Sequence, residues 1–219
     1  MWRRLLVVAP LVFVAVACGK APAPVVAKAP KVTALGATAT RFTGTGRKVA
    51  ILGDSLTVAE WNALYDGLDH RHAVAIAAWF GEGYSPGPAS RSFGAPLILK
   101  AAKTYSRSHP AAVVLALGTN DALTQSSSTF PNMATLVKEF QGACKVGITL
   151  PEHSTVAGWS NSTAHTINIA MRQWADQIVD WASISTRPGM VGADGIHTTP
   201  EGTEVRAKAI IAAIERCTK

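Results

Sequence analysis

Three observations predict a three-layer α/β/α domain built on a five-stranded parallel sheet. Short β-rich runs alternate with helix-like segments from residue 48 onward, the pattern of a sheet covered by helices on both faces. The runs Val49-Ala50-Ile51-Leu52 and Val113-Val114-Leu115-Ala116-Leu117 are apolar without alternation, as strands buried on both faces must be. The chain has 219 residues, 48% hydrophobic and 16% charged, which suits one domain with a sizeable core.

Taken in order, strands are expected at 48–52, 73–79, 112–117, 145–150 and 177–181. Helices are expected at 55–68, 95–108, 130–141, 162–175 and 200–216. In the last helix Val205, Ala209, Ala212 and Ala213 form the apolar stripe expected to pack on the sheet. Ligands of such sheets bind beyond the carboxyl ends of the strands. That rule makes the strand-to-helix turns the place to look for chemistry.

Strand one ends in Leu52-Gly53-Asp54-Ser55-Leu56-Thr57, strand three in Leu117-Gly118-Thr119-Asn120-Asp121, and strand five is followed by Asp194-Gly195-Ile196-His197. All three segments fall at the predicted carboxyl edge. A serine hydroxyl needs a base within hydrogen-bond reach and a third group that fixes the base. His197 can take the Ser55 proton and return it to a leaving group, and Asp194 can stabilise the imidazolium. Each residue also has a purely structural reading as a helix cap or turn former. Convergence of three such segments on one edge favours chemistry. Asp121 is read as structural, because His197 already has its carboxylate.

These blocks resemble the SGNH, or GDSL-type, hydrolase family. The first block is similar to Gly53-Asp54-Ser55-Leu56, the third to Gly118-Thr119-Asn120-Asp121 and the fifth to Asp194-Gly195-Ile196-His197, in family order from about residue 48 to the end. The resemblance implies a flavodoxin-like parallel sheet, a Ser55, Asp194 and His197 triad, and an oxyanion hole. The hole would comprise the Ser55 N–H, the Asn120 side-chain amide and a glycine N–H after strand two. Gly81 is the candidate for that glycine and Gly83 its alternative. The chemistry implied is acyl transfer from an ester through an acyl-enzyme, with no cofactor and no metal. A segment including Asp180-Trp181-Ala182 also resembles SGNH domains fused to membrane acyltransferases, so transfer to a sugar hydroxyl stands beside hydrolysis.

A second serine motif competes. Gly83-Tyr84-Ser85-Pro86-Gly87 fits G-x-S-x-G, but a nucleophile elbow uses the N–H after its serine, and Pro86 has none. This stretch is expected to be a loop at the rim of the site. Asp69, His70 and His72 read as a charged turn rather than a metal site.

The N-terminus reads as an export leader, residues 1–17: Arg3 and Arg4 precede an apolar run and the small residues Ala15-Val16-Ala17. Val16-Ala17-Cys18-Gly19 resembles a bacterial lipoprotein processing site, which would make Cys18 a lipid anchor; plain secretory cleavage stays open. Residues 18–46, with Pro22, Pro24 and Pro30, read as an Ala/Pro-rich tether, and 47–219 as the hydrolase domain. Assigning Cys18 to lipid leaves Cys144 and Cys217, a candidate disulfide in an oxidising compartment, with two buried thiols as the alternative. Both would lie at the sheet edge opposite the site. The net charge of +7 is scattered without a basic, aromatic-interleaved stripe, which argues against nucleic acid. The expected protein is an exported monomer, tethered or secreted, acting on an O-acylated small molecule, glycan or lipid. A glycan-binding lipoprotein without turnover is the contrasting class.

Overall fold

A computed structural model describes residues 36–38, 41–68, 70–87, 90 and 97–219. The leader, Cys18 and most of the expected tether lie outside these residues. The elements in chain order are β1 (Gly36–Thr38), β2 (Arg47–Gly53), α1 (Ser55–Leu68), β3 (His72–Trp79), α2 (Leu97–Ser106) and β4 (Ala112–Ala116). They continue with α3 (Thr119–Thr124), α4 (Thr129–Glu139), β5 (Cys144–Ile148), α5 (Asn161–Trp174), β6 (Gln177–Val179), α6 (Trp181–Ile184) and α7 (Pro200–Cys217).

The sheet order is β1-β3-β2-β4-β5-β6. The five strands from β2 to β6 are parallel, as the alternating pattern predicts, and the order reverses at β2. β2 pairs with β3 from Arg47 opposite His72 to Gly53 opposite Ala78, and with β4 from Val49 opposite Ala112 to Gly53 opposite Ala116. Its side chains divide by parity. Ala50 and Leu52 join a core with α2, α4 and α5, including Tyr105, Met133, Leu136 and Ile167. Val49 and Ile51 join the opposite core with α1 and α7, including Trp61, Leu64, Ile210 and Ile214. Burial on both faces is why every position from Val49 to Leu52 is apolar.

Four features differ from the sequence reading. The sheet gains a sixth, antiparallel strand: β1 pairs with β3, Gly36 opposite Trp79, inside the stretch expected to be tether. An edge strand of three residues is held by main-chain bonds, so it needs no apolar alternation to announce it. The fifth expected strand is shorter, ending at Val179, and Trp181 opens α6 with its side chain wholly buried. The turn after β4 is the short helix α3 rather than plain loop. Finally, the buried face of α7 is Gly202, Arg206, Ala207, Ile210, Ala213 and Ile214, rotated from the expected stripe. A reading that reserves helix faces for apolar residues passes over Arg206, which is buried because Glu60 of α1 pairs with it.

At the far edge of the sheet Cys144, the first residue of β5, is disulfide-bonded to Cys217, the last of α7, with Cα atoms 5.6 Å apart. Nearby, Arg71 and His72 meet Glu215 of α7 at 2.8 Å and 3.4 Å. The disulfide closes a loop with a sequence separation of 73, so its main effect is on the entropy of the unfolded chain. Reduction, or Cys144→Ser with Cys217→Ser, is expected to lower stability by about 2–4 kcal/mol. Thermal unfolding with and without reductant checks this, and the carboxyl-edge geometry should be untouched.

Candidate active site

The site begins where β2 stops. Asp54 follows the strand, 1% exposed, and its Oδ1 accepts the Leu56 N–H at 3.0 Å, which folds the chain directly into α1. Burial pushes the Asp54 carboxyl above its usual range, against the pull of Arg206 and of hydrogen bonds from Thr119 and the Leu56 N–H. Ser55 is the first residue of α1. Its own N–H is therefore one of those left without an intrahelical acceptor, at the end of the helix where a developing negative charge is favoured.

The loop that brings His197 to Ser55 is closed by backbone bonds. Val191 and Thr198 form an antiparallel bridge, the Gly192 N–H donates to the His197 carbonyl at 2.8 Å, and the Gly195 N–H donates to the Gly192 carbonyl at 3.0 Å. Inside this loop the Asp194 carboxylate is saturated from one side. Oδ1 accepts the N–H groups of Ile196 and His197, both at 2.9 Å, and Oδ2 meets His197 Nδ1 at 2.6 Å. Partial burial raises the Asp194 pKa, but the His197 ring, the two N–H groups and the nearby imidazole charge more than offset it, so the carboxyl titrates below its ordinary value. Asp194 therefore stays ionised and takes a proton-bearing Nδ1 as its partner. That choice leaves Nε2 as the acceptor, and Nε2 stands 3.4 Å from the Ser55 hydroxyl. The separation is at the long end for a hydrogen bond, as is common before substrate is bound.

The third segment is held by two buried carboxylates. Asp121 of α3 accepts the N–H of Tyr84 at 2.7 Å, the N–H and hydroxyl of Ser85 at 2.8 Å and 2.7 Å, and the Thr129 hydroxyl at 2.8 Å. Glu82, 1% exposed, accepts the Gly87 N–H at 3.1 Å and the N–H and hydroxyl of Ser90 at 2.7 Å and 2.6 Å. Between them the loop after β3 is fastened to the start of α3. Asn120, one residue before Asp121, donates its side-chain amide to the Glu82 carbonyl at 2.7 Å, so it lies against the Gly81–Gly83 turn.

The two candidate glycines differ in why they are glycine. Gly81 has φ of 73°, the left-handed conformation that turns the chain back after β3. At Gly83 a Cβ would lie 2.2 Å from Asp121 Oδ2, so a side chain there would break the carboxylate's grip on the loop. Gly83 is thus accounted for by packing alone. Ser85, the serine of the competing motif, is buried with its hydroxyl donated to Asp121. The structural reading of Asp121 holds, with its hydrogen-bond partners supplied by the fold; Glu82 as a loop fastener was not anticipated, its signal being an acidic residue between two glycines in an apolar stretch.

Around the rim, Phe80 is 43% exposed. Ser154, in the loop after β5, donates its hydroxyl to the Asp194 carbonyl at 2.8 Å, and the Ser160 N–H donates to the Ala122 carbonyl at 3.0 Å. One loop thereby braces both the His197 segment and α3. His197 and Asp194 remain open to solvent, with side chains 59% and 36% exposed.

No family model matches the chain, and no curated relative is similar to it in sequence. Solved structures are similar in fold. An Enterococcus faecalis lipase/acylhydrolase superposes with a TM-score of 0.60 at 19% identity, over 79% of this chain and 97% of that one. A Slackia heliotrinireducens protein assigned as an SGNH hydrolase gives 0.57 at 19% identity, over 78% and 100%. The C-terminal catalytic domain of Streptococcus pneumoniae peptidoglycan O-acetyltransferase A, solved with a methylsulfonyl adduct, gives 0.57 at 18% identity, over 80% and 96%. The chain has the SGNH hydrolase fold.

Because four donors converge on Asp121, Asp121→Ala is expected to cost about 3 kcal/mol or more, leaving buried N–H groups unpaired. Ser85→Ala removes a single donor and should cost about 1 kcal/mol. Urea denaturation of the two variants distinguishes a fastening carboxylate from an incidental one.

Proposed function

We propose that this protein is a serine esterase that cleaves carboxylic O-acyl esters through an acyl-enzyme on Ser55. The observation that carries the reading is the continuous line from Ser55 Oγ to His197 Nε2, 3.4 Å, and from His197 Nδ1 to Asp194 Oδ2, 2.6 Å. In the first half-reaction His197 Nε2 takes the Ser55 proton as Oγ bonds to the ester carbonyl carbon. The C=O electron pair moves to oxygen, and the tetrahedral intermediate collapses as the alcohol leaves with the proton from Nε2. In the second, water gives a proton to His197, attacks the acyl carbon, and Ser55 Oγ departs with that proton.

Negative charge on the carbonyl oxygen needs donors aimed at it before the reaction. The Ser55 N–H at the start of α1, the Asn120 amide and the Gly81 N–H are the donors we assign, Gly81 being favoured over Gly83 because contact with Asp121 already explains Gly83. The exposure of the His197 side chain supports hydrolysis, since water can reach it. The leader and Cys18 support an exported protein, anchored by lipid or secreted, and hence O-acylated glycans or lipids of the cell envelope as substrates. The likeness in fold to a peptidoglycan O-acetyltransferase domain keeps transfer to a sugar hydroxyl as the second reading.

Incubation with a fluorophosphonate should label the protein, and Ser55→Ala should abolish both labelling and turnover of p-nitrophenyl esters; intact labelling in Ser55→Ala refutes the assignment. Asn120→Ala is expected to lower kcat by about 10²–10³ with the fold retained, the effect of losing one oxyanion donor. Asp194, its carboxyl held below the ordinary range by the His197 ring and two backbone N–H groups, should stay charged well into acid. An added sugar acceptor that diverts acyl groups from water would favour transferase over hydrolase.

A further inference from the structure

We propose that Arg206, clamped by Glu60, is a positioning residue that sets the distance between Ser55 and His197. This rests on the reading of those two residues as nucleophile and base. Helix α1 carries Ser55 at its first position and Glu60 in its second turn. Helix α7 begins three residues after His197 and carries Arg206 in its second turn. The Arg206 guanidinium donates from Nη1 to Glu60 Oε2 at 2.5 Å, with the two side chains 3% and 0% exposed. One buried bond therefore joins the helix that starts at the nucleophile to the helix that follows the base.

Both ends of the connection are stiff. On the α1 side, the Arg206 charge also acts on Asp54, the residue before Ser55, whose Oδ1 holds the Leu56 N–H. On the α7 side, the Thr199 hydroxyl accepts the Gly202 N–H at 3.0 Å, and the Thr199 N–H donates to the Met190 carbonyl at 3.2 Å. The His197 loop and the first turn of α7 thus move together. Behind the guanidinium lies the Trp181 ring of α6, 5.9 Å from its carbon to the ring centroid. A shift of Arg206 along α7 would have to drag the His197 loop relative to Asp54 and Ser55.

A pair that served only to hold α1 against α7 would be a poor choice, because well-packed apolar side chains do that without desolvating two ions. The contact is a single Nη1–Oε2 bond, with Glu60 Oε1 and Arg206 Nε buried and without a hydrogen-bond partner, so one directed, charge-assisted bond sets the line between the two helices. The charged groups facing Glu60 are Arg206 from α7 and Asp54 from the β2–α1 turn. Burial pushes the Glu60 carboxyl up to about 7, against Arg206 and with the help of Asp54. Below that range Glu60 is neutral and the clamp loses its charge attraction. The clamp should therefore tighten as pH rises.

Kinetics and structure test this together. Glu60→Gln is expected to lower kcat by about tenfold or more at pH 8 with KM unchanged, as a small misplacement of a base does. A loss of kcat on acidification through the Glu60 range, at about pH 7, should be present in the wild type and absent from Glu60→Gln. Glu60→Leu with Arg206→Met, which can pack without charges, should fold, show the same loss of kcat, and lengthen the Ser55 Oγ to His197 Nε2 separation in a crystal structure. Wild-type kcat and an unchanged separation in that folded double variant would overturn the proposal and leave the pair as a helix fastener. Should the wild type fail to label at Ser55, the esterase reading fails; the crystallographic separation then decides the positioning claim without turnover.

Discussion

Burial of β2 on both faces is the constraint on which the rest of the site depends. With β3 and β4 paired to its two sides and helices over both faces, the strand has no freedom of register. A shift by one residue would exchange the two cores and send Leu52 where Ile51 belongs. The carboxyl end of the strand is therefore fixed to within one residue, and Ser55 is delivered to the start of α1 at the point where the strand order reverses. The turn after β4 inherits the same alignment through the pairing of Gly53 with Ala116, which places α3 and Asn120 beside it.

Buried carboxylates then do what the sheet cannot. Loops beyond a sheet edge lack ladder partners, and their N–H groups must be satisfied in some other way. Asp121 and Glu82 each gather several such donors from the loop after β3, and Asp194 gathers two from the loop that carries His197. Fixed loops of this kind bring preorganisation to the proposed oxyanion hole, whose donors cannot afford to reorient as charge develops. The same bonds explain why Ser85, although embedded in a nucleophile-like motif, is withdrawn from chemistry.

Electrostatically the two sides of the site differ. The Asp194–His197 pair is open to water, and the low carboxyl pKa of Asp194 reflects local hydrogen bonds rather than seclusion. Behind Ser55 the charges are sealed: Asp54, Glu60 and Arg206 are all nearly inaccessible, burial pushes both carboxyls up, and the Arg206 charge pulls against it in each. In the proposed reaction, the open Asp194–His197 side would meet solvent while the closed charge cluster behind Ser55 holds the geometry. The disulfide lies at the opposite end of the sheet, where it can stabilise the domain without touching either side.

Much of this was legible in the residues themselves. The apolar runs of β2 and β4 encode two-sided burial because no other arrangement hides every side chain, and the three motif segments followed strands whose ends had to share one edge. Ser55, Asp194 and His197 could be singled out as candidates on those grounds, and Asn120 through the family resemblance. What the sequence did not disclose depends on partners distant along the chain: β1 pairing through main-chain groups alone, Trp181 turning inward, the hydrogen-bond partners of Asp121, Glu82 as a fastener, and Arg206 lying on the buried face of α7. A charged residue reads as surface until its counter-ion is seen, and Glu60 lies far from Arg206 in sequence but within a hydrogen bond in space. Local pattern thus determined which elements form and which residues end at the carboxyl edge. Only the tertiary structure decided which buried charges hold them there, because that depends on side chains meeting across helices that the sequence separates.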